Sequence, residues 1–181
     1  PDLVVHSDIV GSELAEDGAR LVDASVSDEP PQVSKDWTHH RRGDAPAYTE
    51  RFDKVGKFHA PGLAPVRRGE LAWHVGFGGR PAYARRFVQT FGYYEGLAAV
   101  VSPSGWHHID ATGHDVYAQR YGWCGNFQEG RCTVREPDGR YLHVDREGRS
   151  VYVERWRYAG DYRDGVAVVQ GLSLIHISEP T

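Results

Sequence analysis

The chain repeats itself, and no other property limits its possible folds as tightly. YTERF (48–52), YARRF (83–87), YAQRY (117–121) and YVERW (152–156) each carry a tyrosine, an arginine three places on and an aromatic four places on. The tyrosines step by 35, 34 and 35 residues. Ten or eleven places after each arginine come GLAPV from Gly62, GLAAV from Gly96, GRCTV from Gly130 and GVAVV from Gly165. A third landmark precedes each tyrosine by ten or eleven places: Trp37, Trp73, Trp106 and Tyr141, each with a histidine one or two residues on. A unit of this kind cannot bury its apolar face alone and is stabilised by stacking on its copies. About four units of roughly 34 residues run from Trp37 to Gly171.

Within a unit the local chemistry is that of short strands and tight turns. Leu97 to Val101 is small or β-branched, Pro103, Ser104 and Gly105 turn the chain, and Trp106 to Asp110 runs back. The following copy repeats this with Val134, then Pro137, Asp138 and Gly139, then Tyr141 to Asp145. Asp-Gly between such runs is a hairpin signal. Second turns follow at Thr112–Gly113 and Glu147–Gly148. The pattern predicts an all-β chain of two or three strands per unit, arranged as an open solenoid-like array of hairpins. A partial β-propeller is the alternative, disfavoured because propeller blades take four strands and about 40–45 residues. Residues 1–36 stand outside the array. GSELAEDGARLVDA (11–24) has a weak helical pattern with a serine suited to an N-cap, and SDEPPQ (27–32) has linker chemistry.

Columns through the copies decide how single residues are read. Cys124 shares its position with Val55, Thr90 and Ala159, and Cys132 with Ala64, Ala98 and Ala167. Two residues beyond the latter runs a valine column of Val66, Val100, Val134 and Val169. Period two with small and branched residues describes a buried strand face, where a free cysteine behaves as a small apolar side chain. Arg51, Arg86, Arg120 and Arg155 recur once per copy, which favours a bridging role on carbonyls or carboxylates of the neighbouring unit. Glu95, Glu129 and Asp164 offer the matching acids. Gly62, Gly96, Gly130 and Gly165 mark the unit starts. The candidate ligand-binding residues are His39, His108 and His143, with Trp73, Trp106 and Tyr141. A face of imidazoles could bind a metal or anion, although a hydrogen-bonded turn histidine is the plainer reading. One aromatic per unit could form an exposed ladder able to stack on sugar rings or prolines.

GLAAVVSPSGWHHID followed by ATGHDVYAQRYGWCGNFQEG (96–130) resembles the WG-repeat proteins, a bacterial family. Their units read as a GLAxV strand, a turn, a W-led strand ending in ID, and an aromatic-rich return ending in FxEG. The resemblance covers Trp37 to Gly171, about three-quarters of the chain. Copies depart from the pattern: His107 replaces the glycine after Trp106, Tyr141 replaces tryptophan, Gly76 and Phe77 stand where Ile109 and Asp110 stand, and Phe91 sits where other copies have glycine. The resemblance implies a β-rich repeat and supplies no catalytic residues.

Composition excludes several function classes. Of 21 lysines and arginines only Lys35, Lys54 and Lys57 are lysine, and the arginines are scattered among acids at a net charge of −4. That leaves nucleic-acid binding without an electrostatic footprint. No apolar run approaches the ~20 residues of a membrane span. There is no nucleophile with a base, no zinc spacing and no phosphate loop, so the expectation is a non-catalytic module without metal or cofactor. It would bind a protein partner, or alternatively carbohydrate through an aromatic ladder, or serve as an accessory array to an enzyme domain elsewhere in a longer protein. The chain holds no methionine and so is read as beginning inside a longer protein, with its compartment open. LSLIHISEPT (172–181) breaks the repeat and resembles a translated sequencing-library transposase adapter, so it is expected to add nothing to the fold.

Overall fold

Two compact units divide the chain, Pro1–Pro30 and Pro31–Thr181. The computed structural model describes residues 28–172, so the architecture given below is that of the second unit. The helix read over 11–24 and the tail beyond Leu172 lie outside the described residues.

Strands follow from the columns, and every regular element among the described residues is a strand. The first sheet holds β1 (Gln32–Val33), β2 (His40–Arg42) and β3 (Ala45–Pro46), and the second β4 (Lys54–Val55), β5 (Ala64–Arg68) and β6 (Leu71–Val75). The third holds β7 (Gln89–Tyr94), β8 (Leu97–Ser102) and β9 (Gly105–Ile109), and the fourth β10 (Trp123–Gln128), β11 (Arg131–Arg135) and β12 (Tyr141–Asp145). A fifth pairs β13 (Tyr158–Ala159) with β14 (Val169–Gln170). The array therefore starts at Gln32, ahead of the Trp37 landmark.

Register shows the copies to be equivalent. The small column pairs with the valine column as Val55 with Val66, Thr90 with Val100, Cys124 with Val134 and Ala159 with Val169. Beyond the valines the partners are Trp73, His107 and Leu142. The ladders of β7 with β8 and β10 with β11 break at the same place, between Thr90 and Tyr93 and between Cys124 and Phe127. A bulge inherited from copy to copy is a designed bend rather than a defect.

Turn chemistry explains the acid before each glycine. Glu95 and Gly96 have φ of 52° and 81°, Glu129 and Gly130 53° and 75°, Asp164 and Gly165 53° and 80°. Two successive left-handed residues make the hairpin turn whose twist matches the flanking strands. The acid then reaches forward: Glu95 Oε1 accepts from the Gly130 amide at 2.8 Å, and Glu129 Oε1 from the Gly165 amide at 2.9 Å. The Glu95 and Glu129 hairpins are thus each tied to the hairpin of the next copy.

Sheets stack face to face. In β8 all of Leu97 to Val100 are buried. Ala98 and Val100 join one apolar cluster with Val66, Val75, Tyr93 and Ile109, while Leu97 and Ala99 join another with Phe127, Cys132, Val134 and Val144. A strand buried on both faces reads as a continuous apolar run, as LAAVV does. The junctions are closed by a tyrosine lying on a glycine of the following copy. A Cβ on Gly79 would stand 2.6 Å from Tyr48 Cγ, one on Gly113 2.5 Å from Tyr83 Cγ, and one on Gly148 2.5 Å from Tyr117 Cγ.

This contact separates two glycines of similar backbone. Gly113 has φ of 84° and the Tyr83 ring on it, whereas Gly139 has φ of 90° and open space. Gly139→Ala should cost about 1 kcal/mol from backbone strain alone. Gly113→Ala should cost at least about 2 kcal/mol, because overpacking adds to the strain. Urea unfolding midpoints check this; equal losses at the two sites would remove the tyrosine contact from the stability of the stack.

Candidate ligand-binding rim

The histidines are the most regular side chains in the molecule. His40, His74, His108 and His143 are all buried, and each sits on the sheet face turned toward the next copy. Their Nε2 atoms contact the carbonyl oxygens of Gly56 at 2.7 Å, Phe91 at 2.6 Å, Gly125 at 2.9 Å and Gly160 at 2.7 Å. A carbonyl only accepts, so Nε2 carries the proton. Nδ1 is then the acceptor for a tyrosine hydroxyl: Tyr48 on His40, Tyr83 on His74 at 2.6 Å, Tyr117 on His108 at 2.6 Å and Tyr152 on His143 at 2.5 Å. Burial pushes His74 and His108 down to about 4 and lowers His40 and His143 as well. All four rings are neutral with both nitrogens engaged, so His108 and His143 have no lone pair left for a metal or anion.

This column corrects the register read from sequence. The first member is His40, not His39, whose ring is half-buried and bonds Thr38 Oγ1 at 3.2 Å. Trp73 leaves the proposed ladder too: it is buried, edge-on to Phe52 at 5.8 Å and covered by the Arg86 guanidinium at 4.3 Å. Anchoring on the large aromatics slipped two copies by one residue. Val75, not Gly76, is the equivalent of Ile109, since the two pair with Ala64 and Ala98. The spacing from histidine to tyrosine, eight or nine residues in every copy, carries the true register.

The arginines brace their own loop rather than the neighbouring unit. Arg86 Nη1 donates to the carbonyls of Tyr83, Ala84 and Arg85, Arg120 Nη1 to Ala118 and Gln119, and Arg155 Nη1 to Val153 and Glu154. Arg51 keeps a weaker version, at 3.4 Å from the Glu50 carbonyl. Charge-assisted bonds of this kind hold the loop so that its tyrosine meets the histidine. Both cysteines are free and buried, and burial pushes the Cys124 thiol up to about 12 and that of Cys132 well above its ordinary value. Burial of this kind favours the thiol over the nucleophilic thiolate.

An aromatic ladder does exist, on different residues. Phe91 stacks on Trp106 at 5.1 Å with planes 16° apart, Trp106 meets Trp123 at 6.5 Å, Trp123 meets Tyr141 at 6.3 Å, and Tyr141 meets Tyr158 at 5.7 Å. Trp106 ends β9 toward its turn, while Trp123 and Tyr141 flank Arg135 in cross-strand register. The rings therefore follow one another along the rim of three consecutive sheets. Phe91, Trp106, Trp123 and Tyr141 are half-buried and Tyr158 is exposed. At the Phe91 end a cavity of about 240 Å³ opens between Trp37, Lys54, Arg67, Gln89, Thr90 and Phe91. A strip of ring faces beside guanidinium groups can stack on flat apolar surfaces while the arginines meet polar ones. Of the residues chosen from sequence, Trp106 and Tyr141 belong to it.

No protein-family model matches the chain, and no curated protein does. Among solved structures it is similar to BamB from Moraxella catarrhalis, at 15% identity and a TM-score of 0.45 over 62% of this chain and 40% of that one. It is also similar to the computationally designed Ika8 protein, at 9% identity and a TM-score of 0.48 over 77% of this chain and 51% of that one.

The buried neutral histidines give stability a direction with pH. Unfolded, each titrates near 6.5; folded, His74 and His108 titrate near 4. The unfolded chain thus binds more protons throughout that interval, and their contribution, full above pH 6.5, is lost progressively toward pH 4. Urea midpoints measured from pH 7.5 to 4.5 should fall steadily below about pH 6.5. A flat profile over that range would show that the imidazoles are not buried in neutral form.

Proposed function

We propose that this unit is a repeat module of WG type that binds a protein partner along its aromatic rim, a rim without catalytic residues. The observation that carries the reading is the unbroken run of rings from Phe91 to Tyr158, at 5.1 to 6.5 Å intervals across consecutive sheets. Partly exposed aromatics in a contiguous run mark interaction sites, and Trp, Tyr and Arg are the residues that dominate binding energy at protein interfaces. An extended, proline-containing segment is the form of partner that an aromatic-lined track takes most readily, because its backbone is already ordered before docking. A glycan is the second reading, favoured by the near-parallel platform of Phe91 and Trp106.

We read the array as open and solenoid-like, with a partial propeller as the alternative. Support comes from packing between consecutive sheets: β8 shares its two faces between two clusters, and the Nε2 of each histidine bonds a carbonyl of the following copy. In a one-dimensional array a unit can be removed with its neighbours left folded. Deleting Gly130–Asp164 should lower the melting temperature yet keep a cooperative transition, and complete loss of structure would favour closure instead.

Binding is tested with tryptophan fluorescence, since Trp106 and Trp123 lie on the rim. A proline-rich decapeptide should quench or shift the emission saturably, and Trp106→Ala with Trp123→Ala, read by the anisotropy of a dye-labelled decapeptide because the reporting rings are gone, should weaken binding at least tenfold, an effect of about 1.4 kcal/mol or more. A soluble β-glucan oligosaccharide is the second ligand. Response to the glycan alone would transfer the assignment to the second reading, and response to neither would remove the rim as a binding site.

A further inference from the structure

The third unit carries, at three positions that the fold brings together, a combination found in no sister copy. Ser102 stands where β5 and β11 lead into Arg68 and Glu136, and His107, paired with Val100, stands where Trp73 and Leu142 pair with Val66 and Val134. Asp115, bridged to Ile109, stands where Pro81 and Ser150 are bridged to Val75 and Val144. Repeat packing needs none of the three. The His107 column holds Trp73 and Leu142 in the second and fourth units and His39 in the first, and the His107 ring sits on Phe87 at 6.0 Å much as Trp73 sits on Phe52.

The three form a line. Ser102 Oγ is 2.7 Å from His107 Nε2, and His107 Nδ1 is 3.3 Å from Asp115 Oδ1. His107 is fully buried, and its Nδ1 has no aligned hydrogen-bond partner. Asp115 is held as a carboxylate by Arg85 Nη1 at 2.7 Å and Arg120 Nη2 at 2.9 Å. Ser102 itself is half-buried at the mouth of the β8–β9 turn. Hydroxyl, imidazole and carboxylate in this order are the elements of an activated serine, in which the base takes the hydroxyl proton and the acid orients the base. Long or poorly aligned bonds between such groups are usual before a substrate binds. His107 points to the sheet face opposite Trp106, so the cluster is separate from the aromatic rim.

We propose that Ser102, His107 and Asp115 make a reactive-serine site that accepts acyl groups from small activated carboxylic esters. His107 Nε2 takes the hydroxyl proton as Ser102 Oγ bonds to the carbonyl carbon, and the same proton leaves with the departing alcohol as its C–O bond breaks. Water then attacks the acyl-serine, releasing the carboxylic acid and restoring the hydroxyl. Arg120, whose Nε donates to Ser104 Oγ at 3.0 Å, ties Asp115 to the turn that carries Ser102. Arg85, whose Nη1 also donates to the Gly113 carbonyl at 2.9 Å, fixes Asp115 from the other side.

The test is labelling of the folded protein with a fluorophosphonate, followed by peptide mass spectrometry. The phosphorus bonds to Oγ, and fluoride leaves with the proton. Label is expected on Ser102 and to be absent from Ser102→Ala. The sister copies supply substitutions that their own packing accepts: His107→Leu copies Leu142 and Asp115→Ser copies Ser150, with Asp115→Asn as a shape-preserving partner. Each should slow labelling by at least roughly tenfold, the lower range of general-base effects, while the melting transition stays cooperative. Ser150→Ala should label at the parent rate. No label on Ser102, or label there at a rate indifferent to His107 and Asp115, would overturn the proposal.

Discussion

A buried imidazole that must be satisfied on both nitrogens governs this structure. Every copy places one neutral histidine on the sheet face that the next copy covers, where an unmet donor or acceptor would cost about 1–3 kcal/mol. The proton on Nε2 goes to a backbone carbonyl in the following copy, and Nδ1 takes the hydroxyl of the loop tyrosine. The tyrosine bond orients the ring within its own copy, and the carbonyl bond forms only when consecutive copies are in register. The sheets alone could slide, since apolar faces are tolerant of small offsets, but the imidazole fixes their position to within a hydrogen bond.

The conserved-looking letters of the repeat follow from that requirement. The tyrosine reaches the histidine from a loop with no ladder of its own, so the loop needs bracing, and the arginine three residues on spans its carbonyls. The aromatic four residues on stands edge-on to the tyrosine at 5.7 to 6.1 Å in all four copies and bridges back to the sheet in three. The ring of the tyrosine then lies on a left-handed glycine of the next copy, where no Cβ fits. Histidine, tyrosine, arginine and glycine are thus one device distributed over two units.

Much of this was legible in the sequence, and the failures have a definite cause. The valine, alanine and cysteine columns were readable because strand alternation is enforced by burial on both faces, and Cys124 and Cys132 sit where period two places them. The histidine register failed in the first two copies because Trp37 and Trp73 outweighed a shift of one residue. Such a shift moves a side chain to the opposite face, which turned Trp73 from a core residue into an imagined ladder member. The rim was illegible for another reason: Phe91, Trp106 and Trp123 come from three different columns, and only the stacking of sheets aligns their rings. Reading column by column finds what recurs in every copy and misses what is assembled across them.

Recurrence and its violation therefore report different things. Positions shared by all copies are those on which neighbours depend, so a residue there is held by two units and has little freedom to take up chemistry. A position where one copy departs alone is released from that dependence, and a costly departure requires some compensating interaction. Replacing an apolar residue over Phe87 with His107 puts an imidazole nitrogen into the core without an aligned partner. Changing Ser150's equivalent to Asp115 draws two arginines toward it. Trp123 is the milder case: it and Tyr158 put large rings where Lys54 and Gln89 stand in earlier copies, and they turn a polar column into links of the rim. The chemistry of a repeat protein is thus sought where its copies disagree, with the common device supplying the rigid frame on which a single altered unit can act.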